Sequence, residues 1–144
     1  MESLIKGAVE AGYTYFISGF AEGVDLMAAE IVTNLKRDGF PLQLEAAIPG
    51  KNQADSWNDR SKCLYALLIE GCDRVVAADE TINKYSFLKR DRYMVDESDL
   101  VIAVYDGKKG GTGYTVGYAR DKKRSLWILD PYECTFTREE GLFS

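Results

Sequence analysis

Apolar residues recur along this chain in two patterns that alternate with one another. One pattern repeats every three to four residues, as at positions 4, 5, 8 and 9, which is typical of a helix with one buried face. The other consists of short runs of β-branched and aromatic residues closed by glycine or proline, which is typical of strands. These patterns predict helices over residues 2–11, 22–37, 57–70 and 114–121, a loop and then a helix within 83–97, and strands over 13–18, 42–48, 74–77, 100–105 and 125–129.

The order of these elements predicts the fold class. Strands and helices alternate with short connections, which favours a parallel sheet with helices on both faces. We therefore predict an α/β protein, a Rossmann-like three-layer sandwich that forms a single domain over residues 1–144. Ligands of such sheets lie beyond the carboxyl ends of the strands. The polar stretch 51–56 is predicted to be a loop, and the tail after Cys134 shows no clear periodicity.

Residues 100–105 are the strongest strand signal, and a glycine-rich turn follows them directly. Five of these six side chains are apolar and three are β-branched, which is typical of a central strand that is covered on both faces. Glycine lets a backbone approach a ligand closely, and the next helix N-terminus attracts anions. The stretch predicts a phosphate or nucleotide cradle, with an ordinary strand-to-helix turn as the alternative.

Composition narrows the class of protein. A chain of 144 residues with 46% hydrophobic residues can bury a globular core, and its net charge of −5 argues against non-specific binding to nucleic acid. The absence of histidine excludes Ser-His-Asp and Cys-His catalysis and most zinc chemistry. Three widely spaced cysteines favour a reducing compartment. We expect a cytoplasmic protein without a membrane span, a metal or a resident cofactor.

The first candidate ligand-binding cluster follows the strand at 13–18 and contains Ser18, Gly19, Glu22, Gly23 and Asp25. It is a glycine turn that leads into a helix N-terminus, where the two glycines would allow close approach of a ligand. The two acids could cap the helix, because negative charge is favourable in its first turn. Asp25 could instead accept a hydrogen bond from a ribose hydroxyl, as acids do at dinucleotide sites.

The second candidate cluster is basic and contains Lys89, Arg90 and Arg92. A solvated helix face is the usual explanation for such a run. Because the run follows a predicted strand end, Arg90 could instead reach a phosphate with two parallel hydrogen bonds.

The third candidate cluster contains Asp106, Gly110, Gly111 and Thr112. Backbone amides and the threonine hydroxyl would hold phosphate oxygens, and Asp106 would bind a hydroxyl or cap the turn. Neither glycine turn of the chain is a Walker motif or a complete G-x-G-x-x-G.

Four segments carry a family resemblance: FISGFAEGVDLMAAE at 16–30, AIP at 47–49, KRDRYMVD at 89–96 and YDGKKGGT at 105–112. Together they resemble the YpsA-like branch of the SLOG superfamily, which also holds the DNA-processing protein DprA and the LOG phosphoribohydrolases. The resemblance extends from about residue 12 to residue 131. It implies a Rossmann-like fold, a site for a nucleotide or nucleotide-derived ligand, and links to bacterial cell division, stress and phage genomes.

The LOG enzymes pair an arginine, followed four residues later by methionine, with a P-G-G-x-G-T-x-x-E turn. Arg90 and Met94 fit the first element, but Thr115 stands where the second has its catalytic glutamate. A threonine cannot take a proton at neutral pH as a carboxylate does. Cleavage of the LOG type would therefore need one of three other acids: Asp106, Glu22 or Asp25.

The resemblance also implies a strand with a Thr-Gly-His-Arg-type motif before the first glycine turn, which this sequence does not match. We therefore expect a SLOG domain without that N-terminal strand. The leading hypothesis is a sensor of a small nucleotide ligand, such as an ADP-ribose-like or signalling nucleotide, with a homodimer suggested by analogy. The alternatives are a nucleotide hydrolase of the LOG type and a DprA-like single-stranded DNA binder, against which the net charge counts.

Overall fold

The fold is described from a computed structural model, and the description covers residues 1–108 and 110–141. In that part of the chain the elements follow in the order α1 (Glu2–Glu10), β1 (Tyr15–Ser18), α2 (Val24–Arg37), β2 (Gln43–Gly50), α3 (Asp59–Glu70), β3 (Arg74–Asp79), α4 (Ser86–Asp96), β4 (Leu100–Val104), α5 (Gly111–Asp121), β5 (Ser125–Leu129) and β6 (Phe136–Glu139). Contacts divide the chain into a first compact unit, Met1–Arg90, and a second that begins at Asp91 within α4.

The first unit contains a parallel sheet in the order β1-β2-β3. Both pairings are parallel: Ser18 of β1 pairs with Ala46 of β2, and Ala47 of β2 pairs with Val76 of β3. The carboxyl ends of the three strands therefore lie at the same edge of the sheet. Helix α2 contacts β1 and β2 through an apolar face that its three-to-four-residue spacing creates. The buried residues of this face are Leu26, Ala29, Val32 and Leu35.

Strand β2 is the central strand of this sheet, and every residue after Gln43 is buried. It extends to Gly50, which pairs with Asp79 of β3, so the expectation that the strand stops before Pro49 is wrong. A buried carboxylate, Glu45, lies within it, and the Tyr15 hydroxyl donates a hydrogen bond to its Oε1 at 2.5 Å. This hydrogen bond and burial raise the pKa of Tyr15 to about 12.

The second unit contains a three-stranded sheet in the order β4-β5-β6. Strands β4 and β5 are parallel, whereas β6 is antiparallel to β5. The central strand of this sheet is therefore β5. The sequence pattern predicted that the strand at 100–105, which is β4, would be central. Only Ala103 of β4 is buried and the other residues of the strand are half-buried, because β4 has a partner strand on one side within this sheet.

Strand β6 was absent from the sequence prediction because its first three residues expose their side chains, which hides any alternation. Its contacts come from distant positions. The Arg120 guanidinium donates to both Glu139 carboxylate oxygens at 2.9 and 2.6 Å, and the Arg138 guanidinium carbon lies 4.5 Å from the Trp127 ring centroid. Tertiary contacts therefore define this strand, not its hydrophobic pattern.

The predicted fold class is confirmed. The chain is an α/β protein with a Rossmann-like arrangement of parallel strands and helices. Helix α5 begins at Gly111 and not at residue 114, so the last two glycines of the second turn, Gly111 and Gly113, lie in the helix itself. The single-domain assignment stays a prediction. None of the helices in the described residues is both long and apolar enough to cross a membrane.

Candidate functional site

Arg90 is a buried cation near the carboxyl ends of β1 and β2. Its side chain projects from α4, its exposure is 7%, and its Nη1 donates to the Gly19 carbonyl oxygen at 2.7 Å. The same nitrogen lies 3.5 Å from the Ala47 carbonyl oxygen. A solvated helix face is therefore the wrong interpretation for Arg90, although Lys89 and Arg92 are exposed.

Gly19 is a glycine because Arg90 and Asp25 occupy the space that a side chain would need. A Cβ built on Gly19 would lie 2.6 Å from Arg90 Nη1 and 2.8 Å from Asp25 Oδ2. Such distances are well below ordinary van der Waals contact. The structure therefore brings three of the residues predicted from the sequence into one cluster.

The turn between β1 and α2 is closed by its own hydrogen bonds. Ser18 Oγ donates to the Asp25 carbonyl oxygen at 2.9 Å and accepts from the Phe20 amide at 3.3 Å. Asp25 Oδ2 accepts from the Ala21 amide at 3.3 Å. Phe20 has a φ of 57°, which is rare for a residue with a side chain, and the complete burial of its ring offsets that strain.

The start of α2 differs from the prediction. Gly23 is the N-cap residue, with a φ of 90° that favours glycine, and the helix begins at Val24. Glu22 therefore lies before the helix with an exposed side chain, and the expectation that it caps the helix is wrong. Asp25 lies in the first turn, where a carboxylate interacts favourably with the helix dipole.

Asp79, at the end of β3, belongs to the same edge of the sheet and was not singled out from the sequence. Its carboxylate accepts from Lys89 Nζ at 2.8 and 2.9 Å and from Ser86 Oγ at 2.6 Å. These hydrogen bonds lower the pKa of Asp79. Ser86 also accepts from the Asn83 amide at 2.9 Å. The network fixes the first turn of α4, one turn before Arg90. Its sequence signal was an acid two residues after the predicted strand at 74–77.

In the second unit, Asp106 caps its own turn. Its Oδ1 accepts from the Lys108 amide at 2.9 Å, and its role in binding a hydroxyl of a ligand stays a prediction. Gly110 is the N-cap residue of α5, with a φ of 150°. The adjacent Lys109 lies outside the described residues.

The first turn of α5 presents backbone to an open region. A Cβ built on Gly111 would meet no heavy atom within 4 Å, as far as the described chain goes. Thr112 is exposed on the same turn. Gly113 differs, because its Cβ would lie 2.9 Å from the Lys108 carbonyl oxygen. Amides in a first helical turn have no partner within the helix, so this segment can receive an anion.

Thr115, at the position of the LOG glutamate, bonds within its own helix. Its Oγ1 donates to the Gly111 carbonyl oxygen at 3.1 Å. The hydroxyl is therefore part of the helix and offers no carboxylate for general acid–base chemistry.

The residues predicted from the sequence thus fall into two groups. Ser18, Gly19, Asp25 and Arg90 cluster in the first unit, with Glu22 and Gly23 in the adjoining turn. The second group, Asp106, Gly110, Gly111 and Thr112, lies in the second unit. That both groups serve one ligand stays a prediction.

Metal chemistry has no geometric support in residues 1–108 and 110–141. Within these ranges, no three histidine, cysteine, aspartate or glutamate side chains come together as a metal site would require. The three cysteines, Cys63, Cys72 and Cys134, are free thiols.

The first unit has parallel strands that end beside a buried arginine and a glycine turn, an arrangement typical of α/β proteins of the Rossmann-like class. The family is established by comparison. Residues 1–134 match the YpsA family model, described as the YspA SLOG family, and the chain belongs to that family.

Proteins with similar sequences occur in Bacillus subtilis, Halalkalibacterium halodurans and Staphylococcus epidermidis. The chain is 31% identical over 131 residues to the uncharacterized SPβ prophage-derived protein YoqJ of Bacillus subtilis, an alignment that covers 81% of this chain and 76% of YoqJ. It is 27% identical to a UPF0398 protein of Halalkalibacterium halodurans, covering 96% of the chain and 77% of the relative. A UPF0398 protein of Staphylococcus epidermidis is 26% identical, and here the match covers 73% of the chain and 57% of the relative.

Proposed function

We propose that this protein binds a nucleotide or nucleotide-derived ligand and acts as a sensor or regulatory protein. The observation that carries this proposal is the buried Arg90 guanidinium near the carboxyl end of the first parallel sheet, beside Gly19. A guanidinium presents several N–H donors in a plane that matches phosphate geometry. Ligands of parallel sheets bind at this edge, so the charge stands where an anionic ligand would arrive.

The second glycine turn supports the same function. Gly111 leaves the first turn of α5 open to close approach, and amides in such a turn bind phosphate oxygens. Each unit thus contains one kind of donor that phosphate groups use: Arg90 in the first unit and the backbone amides of α5 in the second. The LOG-like segments at 89–96 and 105–112 contain these same two features.

The test is ligand-induced stabilisation of the whole chain. Thermal melting is measured with AMP, ADP, ATP, NAD, ADP-ribose and cyclic dinucleotides, followed by mass spectrometry of each mixture. A ligand at a hundredfold excess over its Kd stabilises the folded state by about 2.7 kcal/mol. We expect at least one nucleotide to raise Tm and to be recovered intact. Release of a base or a phosphate would support the hydrolase alternative, and no shift with any nucleotide would overturn the proposal.

Arg90→Ala should reduce affinity for that ligand by roughly tenfold to a hundredfold, because a charge-assisted hydrogen bond is lost. Isothermal titration calorimetry measures the change. Arg92→Ala is the matched control, since it removes the same charge two residues further along α4 from an exposed side chain. Equal affinity of the Arg90→Ala and Arg92→Ala proteins would show that Arg90 does not bind the ligand. Arg90→Lys and the melting temperature without ligand separate a binding defect from a folding defect.

A further inference from the structure

Gln53 is a buried amide that touches the same carbonyl group as Arg90. It follows β2 in the turn at 51–56, and its exposure is 8%. Its Nε2 donates to the Gly19 carbonyl oxygen at 3.2 Å, and Arg90 Nη1 donates to that oxygen at 2.7 Å. The amide of Gln53 and the guanidinium of Arg90 are therefore neighbours.

The oxygen of the Gln53 amide has no hydrogen-bond partner in the described part of the chain. Its Oε1 is buried and accepts no hydrogen bond from any described residue. Reversing the amide does not help, because Oε1 would then face the Gly19 carbonyl oxygen, an acceptor against an acceptor. Folded proteins rarely leave such an acceptor unused, because burial without a hydrogen bond is unfavourable.

A purely structural role does not explain a glutamine at this position. The hydrogen bond to Gly19 uses only the amide nitrogen, and Arg90 already supplies a shorter hydrogen bond to the same oxygen. An acceptor oxygen beside a cation matches a ligand that carries a neutral hydrogen-bond donor next to its anionic group. Rotation about χ3 of glutamine is soft, so the amide can turn to present Oε1 to that donor.

We propose that Gln53 is a specificity-determining residue of the ligand site, whose Oε1 accepts a hydrogen bond from a neutral O–H or N–H group of the ligand held by Arg90. This proposal rests on the proposed function. The chemical class it selects is a phosphorylated sugar with free hydroxyls, alone or within a nucleotide. A nucleobase amine offers the same donor chemistry, and the experiment separates the two sources.

The experiment uses the full chain and four probes: inorganic phosphate, ribose 5-phosphate, AMP and IMP. Calorimetry gives the affinity of each for the wild type, Gln53→Met and Arg90→Ala. Methionine has a similar length without a strong donor or acceptor, and Gln53→Leu is a second variant of different shape. Melting temperatures without ligand confirm that each variant folds.

We expect wild type to bind ribose 5-phosphate more tightly than inorganic phosphate. Gln53→Met should reduce the affinity for ribose 5-phosphate and for AMP roughly tenfold, as expected for the loss of one hydrogen bond. The affinity for inorganic phosphate should stay unchanged. If Gln53→Met loses affinity for AMP alone and binds IMP and ribose 5-phosphate as the wild type does, the result would also support the proposal. It would identify the base amine as the donor.

Two outcomes overturn the proposal and differ in what they say about the site. Affinities that depend on Arg90 but are unchanged in both Gln53 variants would leave the proposed function intact and assign Gln53 to structure alone. Failure of all four probes to bind the wild type would remove this proposal together with the Arg90 site on which it rests.

Discussion

The two glycine turns of this protein look alike in sequence but use glycine for different reasons. At Gly19, after β1, an added Cβ would lie 2.6 Å from the chain's own Arg90. At Gly111, after β4, the same atom would meet no described heavy atom within 4 Å. The first turn therefore packs a charged side chain of the protein, whereas the second leaves backbone open to another molecule. A strand–glycine–helix pattern alone does not distinguish packing from binding.

Replacing Gly19 should have the largest effect on stability. We expect Gly19→Ala to lower the free energy of unfolding by about 1–3 kcal/mol, because the new methyl group displaces Arg90 or Asp25 from its packed position. Chemical denaturation measures the change. Gly117→Ala in α5 is the control, since its Cβ meets no atom within 4 Å in the described part of the structure. It should be neutral or stabilising by up to about 1 kcal/mol. If the two variants unfold alike, the difference between the turns is not one of packing.

Replacing Gly111 should change binding and spare stability. Gly111→Ala adds a methyl group to an open position in the first turn of a helix, so the free energy of unfolding should stay the same or rise by up to about 1 kcal/mol. Affinity for the stabilising nucleotide should fall roughly tenfold, because the methyl group occupies the approach to the backbone amides. Calorimetry on Gly111→Ala and Gly117→Ala checks this result. If both variants bind the nucleotide with the affinity of the wild type, the second glycine turn does not bind this ligand and has a structural role.

Acid should affect the start of α4, which carries Arg90 to the first glycine turn, and this is the smallest of the three effects. The pKa of Asp79 is lowered by hydrogen bonds from Lys89 and Ser86. A carboxylate with a lowered pKa stabilises the folded state above its ordinary pKa near 4, and this contribution is lost as pH falls through the lowered value. Asp79→Asn should therefore flatten the fall of Tm between about pH 5 and pH 2. An unchanged pH profile would show that the Asp79 network does not stabilise the start of α4.

Local sequence pattern predicted most of the elements. The strand at 125–129 has the predicted bounds, and the predicted helix at 2–11 ends one residue earlier in the structure. The predictions failed at element ends, where β2 continues through Pro49 to Gly50 and α5 begins at Gly111. Backbone pairing and helix capping set these ends, and neither leaves a regular hydrophobic period.

The candidate site could be predicted only in part. Ser18, Gly19, Asp25 and Arg90 were identified because glycine turns and cations after strands are local signals. Gln53 was not identified from the sequence, because a single glutamine in a polar loop carries no such local signal. The role that we propose for Gln53 depends on burial of its Oε1 atom, which the surrounding fold creates.

The sequence by itself determined the α/β class of this protein and the places where its backbone turns, because hydrophobic period and glycine act over a few neighbouring residues. Only the tertiary structure decided which polar groups became partners. Arg90 and Gly19 are 71 positions apart in the chain, and they meet because parallel strands bring their carboxyl ends to one edge of a sheet. The physical reason is that burial changes the role of a side chain, and burial is a property of the packed chain, not of a local segment.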